Sequence, residues 1–396
     1  MSRKKKPYYP INQLCKVIDC EHKTAPYVEL SEYLVVRTNN VRNGILVLDD
    51  IKYTTKERIN EWTQRAVPEY GDVLFTREAP AGETCLVPSG LKICMGQRMV
   101  LLRPNKDIIN SHFLSFYLTS KACRREIYQY VIGSTGTRIN IDDILQIKIF
   151  CPSITEQEKI ASFLGAVDRR LTQLRRKQEL LQTYKRGVMQ KIFSQQIRFK
   201  QADGSPFSTW QEKTLGQLTT RQTKKNDDQS ISRVLTNSAI KGVINQQDYF
   251  DKNIANSENL AGYYVIEKGD YVYNPRISVN APVGPINKNK IGLGVMSPLY
   301  TVFRFKTQEN TFYEQYFKTS KWHKYMCSVA NYGARHDRMN ITTSDFMNLP
   351  LPYPEPEEQQ KISNFITVID QKIEALSRQF DQTEKFKKGL LQKMFV

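Results

Sequence analysis

Polar and basic side chains of a few types recur in loop-like stretches at corresponding places in the two halves of the chain. In the first half they are Arg37, Asn39, Asn40, Arg42, Arg77, Thr135, Thr137 and Arg138. In the second half they are Thr236, Asn237, Ser238, Lys241, Arg276, Arg335, His336 and Arg338. Arginine, lysine and asparagine read base edges, and hydroxyl groups hold phosphate. We therefore predict that these residues contact a nucleic acid, although turn formation and surface ion pairs are equally good explanations for any single one.

Residues for catalysis or metal binding do not follow the spacings that such chemistry needs. The four histidines lack the HExxH pattern of zinc enzymes. Asp142-Asp143 and Asp227-Asp228 are neighbours in predicted loops, not the carboxylate cluster that holds magnesium in nucleases. The stretch Tyr273–Arg276 lacks the second proline and the aromatic of the Asn-Pro-Pro-aromatic loop of amino-methyltransferases. We predict no catalytic residue, no metal site and no cofactor on this chain.

The charge favours a polyanionic partner. The chain has 396 residues, with 58 Lys and Arg against 40 Asp and Glu, a formal net charge of +18. Basic side chains that neutralise phosphates release counterions, which drives sequence-independent binding. Seven scattered cysteines without a CxxC pair indicate reduced thiols rather than disulfides. The sequence has no apolar run of membrane-spanning length and no apolar stretch behind its basic start, so we expect no membrane association and a cytoplasmic protein.

One long segment occurs twice. EQEKIASFLGAVD (156–168) returns as EQQKISNFITVID (358–370), and YKRGVMQKIF (184–193) returns as FKKGLLQKMF (386–395), both at an offset of 202 residues. Apolar residues in each copy alternate at steps of four and three, which is the heptad pattern of long coiled-coil helices. Thr155, with Glu158 three residues later, is the predicted N-cap of the first helix.

The blocks outside these helices also correspond. Gly71–Arg77 matches Gly269–Arg276, Phe116–Lys121 matches Tyr316–Lys321, and Arg138–Ile141 matches Arg338–Ile341. Strand signals dominate both blocks, with short helices between them, so we predict an α+β fold (mixed α/β) made by tandem duplication with a pseudo-two-fold relation. The predicted parts are a first block at 1–153, a long helix at 154–196, a linker at 197–213, a second block at 214–353 and a C-terminal long helix at 354–396.

With these features the chain resembles the specificity (S) subunit of type I restriction-modification enzymes. The resemblance rests on the order block, helix, block, helix, on the duplicated segment, and on the link RFKQADGSPFSTWQEKTLGQL. It implies two target recognition domains with mixed sheets, each reading one half of an asymmetric bipartite sequence in double-stranded DNA. It further implies that the two helices pack as an antiparallel coiled coil, set the gap between the half-sites, and dock two methyltransferase (M) subunits.

The resemblance also assigns chemistry to partners. The M subunits would bind S-adenosylmethionine, and restriction (R) subunits would use ATP and Mg, whereas the S subunit contributes no chemistry of its own. The helix residues predicted to bind partners are Tyr184, Lys185, Arg186, Phe193, Phe386, Lys387, Lys388 and Phe395. Two other functions remain open at the level of sequence: a stand-alone DNA-modifying enzyme, either a methyltransferase or a nuclease, and a coiled-coil adaptor without a DNA role.

Overall fold

The computed structural model describes residues 7–134, 136–248, 260–331 and 337–395. The chain divides into two compact units. Unit 1 comprises Met1–Lys177 and Leu376–Val396, and unit 2 comprises Gln178–Ala375. Each unit therefore combines one predicted block with the beginning of one long helix and the end of the other.

Unit 1 contains short strands and helices that precede a long helix. Its strands are β1 (Tyr8–Pro10), β2 (Cys15–Asp19), β3 (Tyr33–Val36), β4 (Val41–Arg42), β5 (Ile45–Leu46), β6 (Lys52–Thr54), β7 (Val73–Thr76), β8 (Thr84–Leu86), β9 (Lys92–Met95), β10 (Met99–Pro104) and β11 (Lys148–Phe150). Its helices are α1 (Ile11–Leu14), α2 (Lys56–Glu61), α3 (Ser111–Thr119), α4 (Lys121–Tyr128), α5 (Ile141–Gln146) and the first part of α6 (Ile154–Phe193).

An antiparallel sheet of order β2-β10-β7-β8 forms the centre of unit 1. Successive strand residues point to opposite faces, so Val100 and Leu102 of β10 pack against the helices, while Met99 and Leu101 face a second hydrophobic cluster. The sheet is covered on both faces, which explains why its two inner strands, β7 and β10, are almost continuous apolar runs. A second sheet, β6-β3-β9, and the pairs β1-β11 and β4-β5 complete the unit.

Unit 2 repeats this plan. Its strands are β12 (Gln211–Thr214), β13 (Thr219–Gln222), β14 (Leu235–Ser238), β15 (Gly242–Asn245), β16 (Tyr264–Ile266), β17 (Tyr271–Tyr273), β18 (Ile286–Lys288), β19 (Gly294–Met296), β20 (Thr301–Phe305) and β21 (Pro350–Tyr353). Its helices are α7 (Leu215–Leu218), α8 (Thr311–Tyr316), α9 (His323–Val329), α10 (Thr343–Met347) and the first part of α11 (Pro356–Met394), with the last part of α6.

Two sheets of unit 2 match two sheets of unit 1. The order β13-β20-β17-β18 corresponds to β2-β10-β7-β8, and the pair β12-β21 corresponds to β1-β11. Equivalent backbone hydrogen bonds begin the first helix of each block, from Ile11 N to Ile147 O and from Leu215 N to Leu349 O. These correspondences confirm the predicted α+β fold and the tandem duplication.

The two long helices span 40 and 39 residues. The predicted N-cap of α6 is wrong: the helix begins at Ile154, and the Ser153 hydroxyl accepts a hydrogen bond from Glu156 N at 3.4 Å. Thr155 lies inside the first turn, where its backbone is already helical and cannot cap. Helix α11 begins with Pro356, whose fixed φ suits the first helical position.

Within each unit the two helices run antiparallel. In unit 1, Lys387 of α11 pairs with Asp168 of α6 at 2.6 Å. In unit 2, Lys185 of α6 pairs with Asp370 of α11 at 2.5 Å. The lysines and the aspartates are related by the repeat offset, so the same contact is made twice. This confirms the predicted antiparallel pairing.

The ends of the predicted heptad seam enter the cores of the blocks. Ile160 and Leu164 of α6 pack with Phe395 of α11 in the main core of unit 1. Ile362 and Ile366 of α11 pack with Phe193 and other residues at the end of α6 in the main core of unit 2. Each block is therefore built around the start of one long helix and the end of the other.

All seven cysteines are free, and six are buried. Burial raises the pKa of the Cys15, Cys85 and Cys94 thiols to about 12. At neutral pH these thiols are protonated and behave as small apolar core groups. In the described part of the chain, no helix is both long and apolar enough to cross a bilayer.

Candidate nucleic-acid interface

A buried aspartate holds the turn before the third strand of each central sheet. Asp72 accepts from Arg103 at 2.8 Å, and Asp270 accepts from Arg304 at 2.6 Å. Each aspartate also accepts from the backbone N–H three residues before it, at Glu69 and Glu267. The hydrogen bond to the aspartate raises the pKa of both guanidinium groups. The repeated Gly-Asp motif is therefore structural.

The segment after each of these strands pairs with the segment before the last short helix of the block. In unit 1, Ile139 N donates to Arg77 O, and Ala79 N donates to Thr137 O. In unit 2, Met339 N donates to Pro275 O, and Ile277 N donates to Asp337 O. Two loops that are distant in sequence thus form one surface in each block. We call this surface the loop face of the block.

The hydrogen bonds correct one sequence correspondence. Arg77 and Pro275 occupy the same place in the pairing, and so do Ile139 and Met339. Accordingly the backbone of Arg138 forms an antiparallel β-bridge with that of Glu78, whereas the backbone of Arg338 forms one with that of Arg276. The predicted equivalence of Arg77 and Arg276 is therefore wrong by one residue. Glu78 is the counterpart of Arg276, so the two loop faces differ in charge at this position.

Most polar residues of the first predicted stretch hold their own loop. Asn40 is fully buried, and its side-chain amide donates to Val47 O at 3.1 Å while accepting from Arg37 N. Arg37 pairs with Asp50 at 2.9 Å, and hydrogen bonds from Lys52 and Arg37 lower the pKa of Asp50. The guanidinium of Arg42 donates to two backbone carbonyls of the same loop. Asn40 is thus an interior residue, contrary to its prediction as a surface contact, and Asn39 is the exposed one.

The remaining predicted residues of unit 1 that the structure describes lie on the loop face. Arg77 donates to Ile139 O at 3.4 Å and lies 3.5 Å from Asp19, so it stabilises the paired loops. Thr137 is half-buried. Arg138 is exposed, and no other described residue forms a side-chain hydrogen bond or ion pair with it. Thr135 lies outside the described residues.

Sequence reasoning missed Glu83, which connects the turn before β8 to α4 and to the loop at Asn43. Its carboxylate accepts from Arg124 at 2.8 Å and from Asn43 N at 2.6 Å. Burial opposes ionisation, but the hydrogen bonds from Arg124 and from the backbone outweigh it and hold the pKa of Glu83 below its usual value. A lone glutamate in the turn between two strands gives no sequence signal for this role.

In unit 2 the strand β14 carries three of the predicted residues into the interior. Thr236, Asn237 and Ser238 are each at most 6% exposed. The Asn237 amide donates to Val272 O at 2.8 Å, and its Oδ1 accepts from Asn287 at 2.8 Å. These contacts join β14 to the central sheet, so the predicted surface role is wrong for all three residues.

The exposed predicted residues of unit 2 are basic. Lys241 lies in the turn after β14, and Arg276 lies on the loop face; both are exposed. Arg338 is half-buried, 3.5 Å from Asp337. The tip of the loop that follows Arg276 also carries Val279, which is fully exposed and was missed by sequence reasoning. Arg335 and His336 lie outside the described residues.

One group of side chains in the described residues has the geometry of metal ligands. Ligand atoms of Asp19, Cys20 and His22 lie within 4.8 Å of one another. However, Asp19 is also 3.7 Å from the guanidinium of Arg65 and 3.5 Å from that of Arg77. Two positive charges so close to the carboxylate oppose binding of a divalent cation.

The predicted partner-binding residues of the helices fall into three classes. Phe193 and Phe395 are buried in the block cores, so their predicted surface role is wrong. Lys185 and Lys387 form the ion pairs between the helices. The exposed residues are Tyr184, Arg186, Phe386 and Lys388, an aromatic and a cation at equivalent positions of each copy of the repeat.

A family model matches this chain twice. The model, described as the type I restriction modification DNA specificity domain, matches residues 6–182 and 208–384. Two proteins of Methanocaldococcus jannaschii are similar over most of the chain. The candidate type I restriction enzyme MjaX specificity subunit is 26% identical, covering 91% of this chain and 85% of that protein. The type I restriction enzyme MjaVIII specificity subunit is 24% identical, covering 91% and 84%.

Solved structures share the fold over the whole length. The S subunit of the type I restriction-modification system from M. genitalium has a TM-score of 0.59 at 16% identity, covering 100% of this chain and 97% of its own. A chain from a structural study of complex assembly and conformational transition of the type I R-M system has a TM-score of 0.57 at 17% identity, covering 99% of both chains.

Proposed function

Because this chain belongs to the type I restriction modification DNA specificity family, with two tandem recognition domains, we propose that each domain reads one half of an asymmetric, bipartite sequence in double-stranded DNA. The observation that carries the proposal is the loop face, which the fold builds twice but with different exposed residues. Arg138 stands beside Glu78 in unit 1, whereas Arg276 stands beside Arg338 in unit 2. Two faces with the same backbone and different side chains suit two different half-sites.

We propose that the paired helices set the gap between the half-sites. Supporting this, the pairing is antiparallel in both units and uses equivalent ion pairs, so the helices fix each other's register. Lengthening α6 and α11 by the same helical turn tests the role. The methylated sequences should keep their two parts and change only the gap between them. An unchanged gap would contradict the proposal.

We also propose that the helices dock two methyltransferase subunits at the equivalent exposed segments that contain Tyr184 and Arg186 of α6 and Phe386 and Lys388 of α11. Their equivalent positions in the repeat support two similar docking events. The charge around them differs, because residues 154–196 contain nine Lys and Arg against four Asp and Glu, whereas residues 354–396 contain seven of each. Docking at the two sites should therefore differ in its dependence on salt.

We infer that the chemistry resides on the partners and that the complex works in the cytoplasm. S-adenosylmethionine would bind the methyltransferase subunits, and restriction subunits would use ATP and Mg. The target base would enter the pocket of the methyltransferase, since a base must leave the stack to be modified. The chain itself would position the DNA and contribute no catalytic group.

DNA binding of the chain together with its methyltransferase, measured over a salt series, tests the proposed function. We expect binding that weakens steeply as salt rises, because phosphate contacts release counterions. The absence of salt-sensitive DNA binding would favour a coiled-coil adaptor. Titration of the isolated chain with S-adenosylmethionine tests the enzyme alternative, and tight binding without partners would favour it.

A further inference from the structure

The segment after α6 folds back onto the first turns of α11 in unit 2. We call this segment, residues 196–210, the strap. Arg198 of the strap donates to Glu358 at 3.1 and 2.7 Å, and the Trp210 indole donates to the same carboxylate at 2.8 Å. Glu358 is fully buried. A buried carboxylate needs such partners, because an unpaired charge away from water is strongly destabilising.

Apolar and cation–π contacts complete the strap site. The Phe199 ring meets Phe365 of α11 edge to face, with 5.7 Å between ring centroids. Lys361 of α11 lies 5.2 Å from the centroid of Phe207, and its ammonium also donates to Lys200 O at 2.8 Å. The strap is thus recognised by three residue types on one helix face: a glutamate, a lysine and a phenylalanine.

The same three residues recur on α6 in unit 1, where the described residues form no strap. Glu156, Lys159 and Phe163 correspond to Glu358, Lys361 and Phe365 at the offset of 202 residues. The Phe163 side chain is 47% exposed and borders a shallow depression of about 620 Å³. None of these three side chains makes a hydrogen bond, ion pair or ring contact with another described residue of unit 1. The recognition residues are retained, and no described segment covers the surface that they form as the strap covers α11.

We propose that this face of α6 is a docking site for a segment of a partner chain with the chemistry of the strap. That segment presents an arginine followed directly by an aromatic residue, and a second aromatic about eight residues later, as in Arg198, Phe199 and Phe207. The arginine pairs with Glu156, and the first aromatic covers Phe163. A second copy of this chain is not the occupant, because its own strap is held on its own α11 by a buried carboxylate.

Only the source of the docked segment depends on the proposed function, because the segment would belong to a subunit that assembles with this chain. The docking site itself is inferred from the internal repeat and does not depend on the proposed function. A variant of Phe163 should therefore leave DNA binding by the chain alone unchanged, and a failure of DNA binding by the unaltered chain with its methyltransferase would count against the proposed function and not against the docking site.

A labelled synthetic peptide of residues 196–210, titrated with the full-length chain, tests the proposal by fluorescence anisotropy. We expect saturable binding that Phe163→Ala weakens about tenfold, since an edge-to-face aromatic contact and its buried area are lost. Glu156→Gln should also weaken it, and a peptide in which Arg198 and Phe199 are replaced by alanine should not bind. Leu180→Ala, which removes a similarly exposed apolar side chain farther along the same helix, is the matched control and should leave the affinity unchanged.

Two results would overturn the docking site. The first is the absence of saturable binding to the unaltered chain. The second is equal affinity of the unaltered chain and both the Phe163→Ala and Glu156→Gln variants, with their circular dichroism spectra unchanged. Because Phe163 and Glu156 are exposed, neither substitution removes a core contact, so a loss of affinity would report on the site itself.

Discussion

The side chains near the loop faces belong to two groups. Some stabilise the fold of the loops and turns, and others are exposed and can contact a partner. Asp270 illustrates the first group, because it is fully buried, caps its own turn and pairs with Arg304 of the neighbouring strand. Arg276 illustrates the second, because it is exposed on the loop face that follows the same strand.

Replacing Asp270 tests the structural group. We expect Asp270→Ala to lower the free energy of unfolding by about 2–3 kcal/mol, since it removes charge-assisted hydrogen bonds and leaves the turn uncapped. Urea unfolding measures the loss. Glu267→Ala is the matched control, because Glu267 contacts the same arginine at 2.7 Å but is exposed, and it should have little effect. Equal losses for the two variants would contradict the structural role of Asp270.

Replacing Arg276 tests the contact group. Arg276→Ala should weaken DNA binding by the assembled complex about tenfold at fixed salt, which corresponds to one lost base or phosphate contact of about 1–3 kcal/mol. The folded state should be little affected, because the exposed guanidinium forms no hydrogen bond or ion pair within the described chain. Lys148→Ala, on the exposed side of strand β11, is the control. If Arg276→Ala bound DNA as tightly as the control, the loop face would not be the contact surface.

Composition and spacing predict which loops form the candidate interface. They do not predict which residues of those loops are exposed. Asn39 and Asn40 are adjacent and chemically identical, yet one is exposed and the other is fully buried. The buried one is needed because the carbonyl groups of its own loop require a donor. Nothing in the sequence distinguishes such an asparagine from one that faces a base.

At the scale of secondary structure, the long helices contribute to the block cores as well as pairing with each other. The heptad pattern predicted both helices and their apolar seam. It could not predict that the ends of the seam enter the blocks, because periodicity identifies a buried face but not the surface that covers it. The strand landmarks were also predictable, but the single-residue offset at Pro275 became visible only in the hydrogen bonds.

The last turns of α11 pack in the main core of unit 1, so their contribution to stability can be measured. Phe395→Ala should lower the free energy of unfolding by about 3–5 kcal/mol, because it leaves a cavity beside Phe113 and Tyr117. Phe386→Ala removes an exposed ring from the same helix and should change stability little. Chemical unfolding followed by circular dichroism compares the two. Similar stabilities would mean that the end of α11 is not part of the core.

The equivalent ion pairs between the helices can be tested by exchanging charges. Lys387→Glu places two negative charges together and should destabilise the chain by about 1 kcal/mol, a small value because both groups are partly exposed. The double variant Lys387→Glu with Asp168→Lys should recover most of the loss. A double-mutant cycle by urea unfolding gives the coupling energy. Additive effects of the two substitutions would show that the pair does not hold the register.

At the scale of the whole molecule, the duplication explains why one chain can serve a two-part target. Each half of the chain supplies one recognition domain and one long helix, and each compact unit uses the end of the helix from the other half. Neither unit is complete without both halves of the sequence. The two recognition domains kept the same fold while their loop faces diverged, as the contrast between Glu78 and Arg276 shows.

The most direct test of the central claim is a map of methylated adenines in cells that express this chain with its methyltransferase partner, compared with cells that lack the chain. We predict methylation at one asymmetric motif of two short, different parts separated by a fixed number of unspecified bases, present only when the chain is expressed. Methylation that does not depend on the chain, or a single continuous motif, would contradict the claim that two unlike domains read two halves of one target.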